Sequence, residues 1–162
     1  MRLKADLERW GTSFGAKLYH VLFNSNFQMI MWYRIAHFLG EHHLFPLAKI
    51  IMYFHKIIFS CDIDFRCEIG PGIKILHGLA IVIGKNTVIG KNCTIYQSVT
   101  FAGRDKSRII HDRETNFPTI GDNVIVYTGS VLYGPIIVED NAIIGANSFV
   151  DKDVQKSSVY HN

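Results

Sequence analysis

The sequence predicts a mainly β protein, a parallel β-helix preceded by a small apolar α-helical segment. Two observations carry this prediction. A hydrophobic residue recurs every six positions beyond about residue 60, and the composition changes near the same point, from aromatic residues, Met and Leu to Ile, Val, Gly, Asn and Asp. We therefore divide the 162 residues into a helical segment over 1–60 and a β-helix domain over 61–162, with a loop at 103–118.

The amino-terminal segment has the periodicity of helices. Apolar residues recur at spacings of three and four between Phe27 and Leu39, which predicts a helix over about 26–41. Pro46 fits the first turn of another helix that runs to about Ser60. Residues 3–23 are expected to add a further helix. The apolar face of the helix that begins at Pro46 comprises Leu47, Ile50, Ile51, Phe54 and Ile57 or Ile58.

Large hydrophobic residues follow one another at a spacing of six in the second segment, except across two extra residues after Ile75 and across the loop after Phe101. They are Ile63, Ile69, Ile75, Ile83, Ile89, Ile95, Phe101, Ile120, Val126, Leu132, Val138, Ile144 and Val150. Four positions after each of these except Phe101 comes a second, often smaller residue: Cys67, Ile73, Leu79, Thr87, Cys93, Val99, Val124, Ser130, Ile136, Ala142, Ser148 and Val154. This is the hexapeptide repeat, in which each unit is one short strand and a turn, and three units close a triangular coil. An ordinary β-sandwich does not account for a phase kept over about 90 residues.

Composition and charge exclude several classes of protein. The net charge is +3 with no long basic run, which does not fit a nucleic-acid-binding protein. Three cysteines and no signal-peptide pattern indicate a reducing, cytoplasmic location. Cys67 and Cys93 fall at the small inward position, so we expect them to pack in the core rather than to bind a metal. The apolar stretch 44–60 is shorter than the roughly 20 residues of a membrane span, and no transmembrane helix is predicted.

One histidine interrupts the apolar run "KILHGLAIVIG". We label the sides of the triangle A, B and C, opened in the first coil by Ile63, Ile69 and Ile75. His77 lies at the bend from C to A, where two extra residues widen the turn, and Asp62 precedes Ile63 at the same edge. Stacked coils are about 4.8 Å apart, so the carboxylate is expected within reach of the imidazole ring. Such a pair suits a general base, whereas the alternative is a structural histidine.

These residues carry a family resemblance. The stretches "DIDFRCEIGPGIKILHG" and "IVIGKNTVIGKNCTIYQSVTFAG" resemble the catalytic half of serine acetyltransferases and of the related sugar O-acetyltransferases of polysaccharide biosynthesis. The resemblance implies a left-handed β-helix, a homotrimer or dimer of trimers with sites between adjacent subunits, and acetyl-coenzyme A (acetyl-CoA) as the donor. It also implies that His77 is the general base and that Asp62 orients it.

The resemblance assigns further residues to the donor, and no metal is expected. Gly103 matches the position whose amide stabilises the oxygen of the thioester carbonyl. Thr128, Gly129 and Ala146 match positions beside the cofactor. In the loop, the alternating cations Arg104, Lys106 and Arg108 suit coenzyme A phosphates, and the alternative is a solvated charged loop.

Departures from the serine acetyltransferase pattern direct the prediction of the acceptor. Leu76 stands where those enzymes have an aspartate, and Phe117 stands where they have a histidine. Because an amino acid needs partners for both its charges, we expect a sugar hydroxyl of surface-polysaccharide biosynthesis as the acceptor. The alternatives are a serine O-acetyltransferase of cysteine biosynthesis and a non-catalytic trimeric solenoid. The apolar helices are expected to cap the solenoid, to join trimers, or to lie at the inner face of a membrane.

Overall fold

The computed structural model describes residues 2–161, which form four helices and a left-handed parallel β-helix. The helices are α1 (Arg2–Glu8), α2 (Phe14–Phe23), α3 (Ser25–Glu41) and α4 (Phe45–Phe59). The helix expected over 3–23 is therefore two helices with a break between them. Of the helices within residues 2–161, none combines the length and the apolar character that crossing a membrane requires.

Short parallel strands form the three sides of the triangle. Side A contains β1 (Asp62–Ile63), β4 (Val82–Ile83), β7 (Thr100–Ala102), β12 (Val131–Tyr133) and β15 (Phe149–Val150). Side B contains β2 (Glu68–Ile69), β5 (Val88–Ile89), β10 (Thr119–Ile120) and β13 (Ile137–Val138). Side C contains β3 (Lys74–Ile75), β6 (Thr94–Ile95), β11 (Ile125–Val126), β14 (Ile143–Ile144) and β16 (Val159–Tyr160).

The residues in phase with the repeat form the core of the solenoid. All thirteen large residues predicted to point inward are at most 2% exposed, which confirms the phase. Leu79 is the exception in the second set, because it is 57% exposed and Ile81 takes the inward position instead. The two extra residues of the bend lie between Ile75 and Ile81, so a count of four from Ile75 ends outside the core.

The cysteines are packing groups of this core. Cys67 and Cys93 are buried, as their inward positions predicted, and neither is part of a disulfide. Burial raises the pKa of Cys67 to about 12 and that of Cys93 to about 11. Both thiols therefore stay protonated and unreactive near neutral pH.

Helices α1 and α3 are fixed to the first coil by buried polar contacts. The carboxylate of Asp6 in α1 accepts hydrogen bonds from Arg34 Nε (2.9 Å) and from the amides of Gly72 (2.7 Å) and Ile73 (3.0 Å). The hydroxyl of Tyr33 in α3 donates to the carbonyl of Cys67 (2.7 Å). The helical segment thus covers the end of the solenoid where the first coil begins.

The apolar face of helix α4 points toward solvent, although an apolar helix face usually packs against the core. Ala48, His55 and Phe59 are buried against α3 and the first coil. The large residues that form its apolar face point outward: Leu47, Ile50, Phe54, Ile57 and Ile58 are all exposed. The reason lies in close packing, since the small Ala48 permits a near approach to α3, where Ala36 is also buried.

Candidate active site

His77 projects from the edge between sides C and A. Its backbone is left-handed, with φ of 53°, and its side chain is exposed. Two contacts hold the bend around it: the Gly78 amide donates to Asn26 Oδ1 (2.8 Å), and the Ala80 amide donates to the carbonyl of Ser60 (3.0 Å). The amino-terminal end of α3 therefore fixes the position of the bend that carries His77.

Asp62 lies on strand β1, beside the end of α4. Its Oδ2 is 2.6 Å from Lys56 Nζ, and both side chains are more than half exposed. Asp62 and His77 are both described by the structure, and no hydrogen bond joins their side chains. Lys56 was not predicted as a partner, because its approach to Asp62 depends on how α4 leads into β1. The assignment of His77 as base and Asp62 as its orienting residue remains a proposal.

The predicted donor residues Thr128, Gly129 and Ala146 continue the edge of His77 along the solenoid. The Gly129 amide donates to the carbonyl of Gln97 (3.1 Å), one coil nearer to His77. Thr128 and Ala146 occupy the corners of successive coils, which lie between β11 and β12 and between β14 and β15. At about 4.8 Å per coil, the corner of Ala146 is roughly 14 Å from that of His77.

Gly103 lies at a different edge, between sides A and B. The ring of Phe117 packs directly over it, since a Cβ added to Gly103 would lie 2.7 Å from Phe117 Cε2. The same ring covers Gly84, where an added Cβ would lie 2.0 Å from Phe117 Cε1. Within residues 2–161 we find no hydrogen bond donated by the Gly103 amide, which leaves this group able to bind an oxyanion.

The loop folds as a β-hairpin. Strands β8 (Arg108–Ile110) and β9 (Arg113–Thr115) pair antiparallel, and His111 and Asp112 form the turn with φ of 47° and 60°. Two successive residues of positive φ are typical of a two-residue hairpin turn. The hairpin was not predicted, because its residues follow no six-residue period. Arg113 forms an ion pair with Glu68, which holds the hairpin against side B of its own chain.

Cations of the loop gather at a cavity of about 380 Å³ on the A-to-B edge. Arg104, Lys106, Arg108 and Lys152 line it together with Asp151 and Asp153. The guanidinium of Arg104 lies 5.3 Å from the centroid of the Tyr133 ring. Its Nε is buried and, in the part of the chain that the structure describes, has no hydrogen-bond partner.

The predicted site residues thus fall into two groups on separate edges. Thr128, Gly129 and Ala146 share the C-to-A edge with His77, whereas Gly103, Arg104 and Lys106 lie at the A-to-B edge. A single chain does not bring the two groups together. Over residues 2–161, no cluster of three or more His, Cys, Asp or Glu side chains has an arrangement that could hold a metal ion.

Comparison with known proteins identifies the repeats. The family described as "Bacterial transferase hexapeptide (six repeats)" matches residues 117–152, and the "Hexapeptide repeat of succinyl-transferase" matches residues 80–100. The serine acetyltransferase of Bacillus pumilus is 36% identical over 138 residues, which cover 85% of this chain and 61% of that protein. The serine acetyltransferase of Mycobacterium tuberculosis is 35% identical over 127 residues, 78% of this chain and 53% of that protein.

Solved structures of serine acetyltransferases have the same fold. The Neisseria gonorrhoeae enzyme superposes with a TM-score of 0.87 at 28% identity, covering 99% of this chain and 63% of that one. The soybean enzyme in complex with serine gives 0.83 at 32% identity, with coverages of 99% and 66%. A serine acetyltransferase in complex with CoA gives 0.84 at 28% identity, with coverages of 97% and 64%. The chain thus spans about half to two thirds of the length of these relatives.

The fold and the repeats define a hexapeptide-repeat protein with a left-handed β-helix. Within that class, the chain is similar to acetyltransferases over most of its length.

The expectation of a sugar acceptor in surface-polysaccharide biosynthesis is wrong, because the relatives and structures that match this chain are serine acetyltransferases. The inference depended on Leu76 and Phe117, which stand where serine acetyltransferases have an aspartate and a histidine. The structure shows instead that the Phe117 ring packs over Gly84 and Gly103. The ring is therefore a packing group at the base of the loop, and its presence does not indicate a sugar.

Proposed function

We propose that this protein is an acetyl-CoA-dependent serine O-acetyltransferase. The observation that carries the proposal is the exposed imidazole of His77 at the C-to-A edge, in a chain 36% identical to a serine acetyltransferase over 138 residues. Serine was the alternative acceptor predicted from the sequence, and the relatives favour it. The non-catalytic solenoid has no observation in its favour.

In the proposed reaction, an imidazole nitrogen of His77 accepts the proton of the serine hydroxyl as its oxygen attacks the thioester carbonyl. Loss of positioned proton transfer typically slows a reaction 10²- to 10⁴-fold. The Asp62 carboxylate would exchange Lys56 for a hydrogen bond to the second imidazole nitrogen of His77. This bond would fix the orientation of the ring. The protonated ring then returns the proton to the departing thiolate, which yields O-acetylserine and free thiol.

The residues of the A-to-B edge fit the donor, which supplies the activated acetyl group. The Gly103 amide would donate to the oxyanion that develops on the carbonyl oxygen. Among residues 2–161, the buried Nε of Arg104 has no hydrogen-bond partner, and Lys106 and Lys152 line the same cavity, which suits the phosphates of coenzyme A. The aspartates of the same cavity would neutralise part of this positive charge when coenzyme A is not bound. Arg108 donates to both carboxylate oxygens of Asp153 at 2.8 Å.

A homotrimer would unite the two edges. In a three-fold assembly, the C-to-A edge of one subunit can face the A-to-B edge of its neighbour, because the interface is head-to-tail. Each site would then take His77 and the corners of Thr128 and Ala146 from one chain and Gly103 with Arg104 from the next. We propose this arrangement, with a dimer of trimers as the larger assembly.

The acceptor would bind beside Asp62, in a cavity of about 250 Å³ that carries both signs of charge. Lys49, Lys56 and Arg66 line it with Asp62 and Asp64. A serine zwitterion needs a partner for its carboxylate and another for its ammonium, since an unpaired buried charge is costly. Lys56 would bind the carboxylate. Asp64, whose two carboxylate oxygens accept hydrogen bonds from Arg66 at 2.9 and 2.7 Å, would exchange one of these for the ammonium.

The proposed function is tested by incubating the full chain with acetyl-CoA and L-serine, and by measuring thiol release together with O-acetylserine by mass spectrometry. We expect thiol release that depends on L-serine and equals the product formed. D-serine and L-alanine are matched controls, because the first has the wrong configuration and the second has no hydroxyl. Absence of O-acetylserine, at concentrations where acetyl-CoA binds in calorimetry, would contradict the acceptor and leave the donor site intact.

A further inference from the structure

Two tyrosine rings stack on the outside of side C, next to the edge that carries His77. Tyr96 and Tyr127 directly follow strands β6 and β11, and they are neighbours because Ile95 pairs with Val126. Their ring centroids are 4.9 Å apart, with an angle of 29° between the ring planes. Tyr127 is 37% exposed, and Tyr96 is partly exposed. The pair therefore presents aromatic surface to the outside of the solenoid.

The two rings extend an apolar stripe that begins directly beside His77. Leu76, Tyr96 and Tyr127 occupy the same position in three successive coils, because strands β3, β6 and β11 pair in register. We call these three side chains the side C stripe. Coils are about 4.8 Å apart, so the stripe is roughly 10 Å long. It ends at the next coil, where Gly145 takes the same position. This shape suits an extended, narrow ligand.

An oxygen atom without a hydrogen-bond partner lies at the same edge. Gln97 follows Tyr96 and occupies the corner between those of His77 and Thr128. Its Oε1 is buried and, in the part of the chain that the structure describes, accepts no hydrogen bond, whereas the residue as a whole is partly exposed. Rotation of the terminal amide turns this oxygen outward and breaks no hydrogen bond of Oε1. Because a buried polar atom is rarely left unpaired, Gln97 suits a ligand that donates an N–H group.

The chemistry of the stripe and of Gln97 matches the pantetheine arm of coenzyme A, a step that rests on the proposed function. Pantetheine is a narrow chain in which apolar methylene and methyl groups alternate with amides that each donate one N–H. L-serine carries an ammonium and a carboxylate, and the nucleotide part of coenzyme A carries phosphates. Both need charged partners, which the side C stripe and Gln97 do not provide.

We propose that the side C stripe packs along the pantetheine arm of the acetyl donor and that Gln97 Oε1 accepts a hydrogen bond from one of its amides. These contacts place the thioester at the start of the edge, beside His77. The arm then continues past the corners of Thr128 and Ala146. Tyr96, Tyr127 and Gln97 are thus donor-binding residues in addition to those that the family resemblance assigns.

The test is calorimetry of the full chain with coenzyme A and, separately, with 3′-phosphoadenosine 5′-diphosphate, which is the same nucleotide without the pantetheine arm. Tyr127→Ala should raise the Kd for coenzyme A about tenfold, because the arm loses contact with an aromatic ring. Gln97→Met keeps the size of the side chain and removes the amide, so it should raise this Kd about fivefold. Both variants should bind the nucleotide like the wild type.

Three further variants are the controls. Tyr127→Phe retains the ring and should bind coenzyme A like the wild type. Tyr19→Ala and Gln155→Met make the matched changes at exposed positions, in α2 and at the B-to-C edge of the last coil, and should also leave the Kd unchanged. Circular dichroism should show that all variants are folded.

The outcomes separate this inference from the proposed function. A wild-type Kd for coenzyme A in both Tyr127→Ala and Gln97→Met would overturn the inference and leave acetyl transfer to L-serine unaffected. An equal loss of affinity for the nucleotide would overturn it too. So would a smaller assembly mass of Tyr127→Ala in light scattering, since a neighbouring subunit would then cover the rings. Failure of the wild type to bind coenzyme A would contradict the inference and the proposed function together.

Discussion

At the scale of single residues, the candidate site depends on which group pairs with the Asp62 carboxylate. In the structure that group is Lys56, at 2.6 Å, and not His77. An ion pair between two exposed side chains contributes about 1 kcal/mol or less to stability. Such a pair is easily exchanged when a substrate carboxylate or the imidazole ring offers another partner.

This exchange predicts different effects for the two members of the pair. Lys56→Met should raise the KM for L-serine with little change in kcat, because the lysine would bind the serine carboxylate. Asp62→Asn should lower kcat, by less than the 10²- to 10⁴-fold expected for loss of a general base. Steady-state kinetics with varied L-serine measure both constants. A fall in kcat of the same size for both variants would contradict separate roles.

At the scale of elements, the contact between α4 and α3 contains a buried histidine. His55 is fully buried and its Nε2 lies 3.2 Å from the carbonyl of Met29. Burial lowers the pKa of His55 from its ordinary value of 6.5, since the charged ring would lose its hydration. The folded protein therefore holds this ring neutral at a pH where the unfolded chain binds a proton.

The lowered pKa of His55 predicts a loss of stability in mild acid. As pH falls through 6.5, the unfolded state gains a proton that the folded state does not, so the free energy of unfolding decreases. The contribution is complete above pH 6.5 and declines below it. Urea unfolding at about pH 7.5 and about pH 5.5 should show a smaller decrease for His55→Gln than for the wild type. The exposed His42→Gln should keep the wild-type dependence, and an unchanged dependence in His55→Gln would contradict the assignment.

The sequence predicts the strands and helices of this fold better than it predicts the tertiary contacts between them. The six-residue period predicts the inward position of all thirteen large residues of the first set, because a side chain in a coil of fixed length must point inward or outward. It fails at Leu79, where an insertion breaks the count. The bounds of α3 and α4 follow from periodicity, but the break between α1 and α2 does not. The outward face of α4 does not follow either, because periodicity alone does not say which side of a helix meets its neighbour. The Lys56 and Asp62 pair is likewise a product of tertiary packing.

At the scale of the whole molecule, the two groups of site residues lie on different edges of one triangular solenoid. His77 is at the C-to-A edge, and Gly103 and Arg104 are at the A-to-B edge. The hairpin lies along side B, where Arg113 pairs with Glu68. A site that uses both edges therefore requires two chains.

Sharing of the site between chains predicts complementation. His77→Ala chains, assembled into mixed trimers with chains lacking residues 104–116, should recover about one third of wild-type activity. In every trimer that contains both types, one of the three head-to-tail interfaces receives His77 from one type and the loop from the other. Activity is measured on trimers that carry two different affinity tags and are purified on both. No recovery in such mixed trimers, with both parents folded, would indicate a site within each chain.

The most direct test of the whole account is the effect of His77→Ala on acetyl transfer to L-serine, measured as O-acetylserine by mass spectrometry. We expect the rate to fall 10²- to 10⁴-fold, with an unchanged assembly mass and unchanged binding of acetyl-CoA. His42→Ala, which removes an exposed imidazole from the end of α3, should keep the wild-type rate. Near-normal formation of O-acetylserine by His77→Ala would contradict the account.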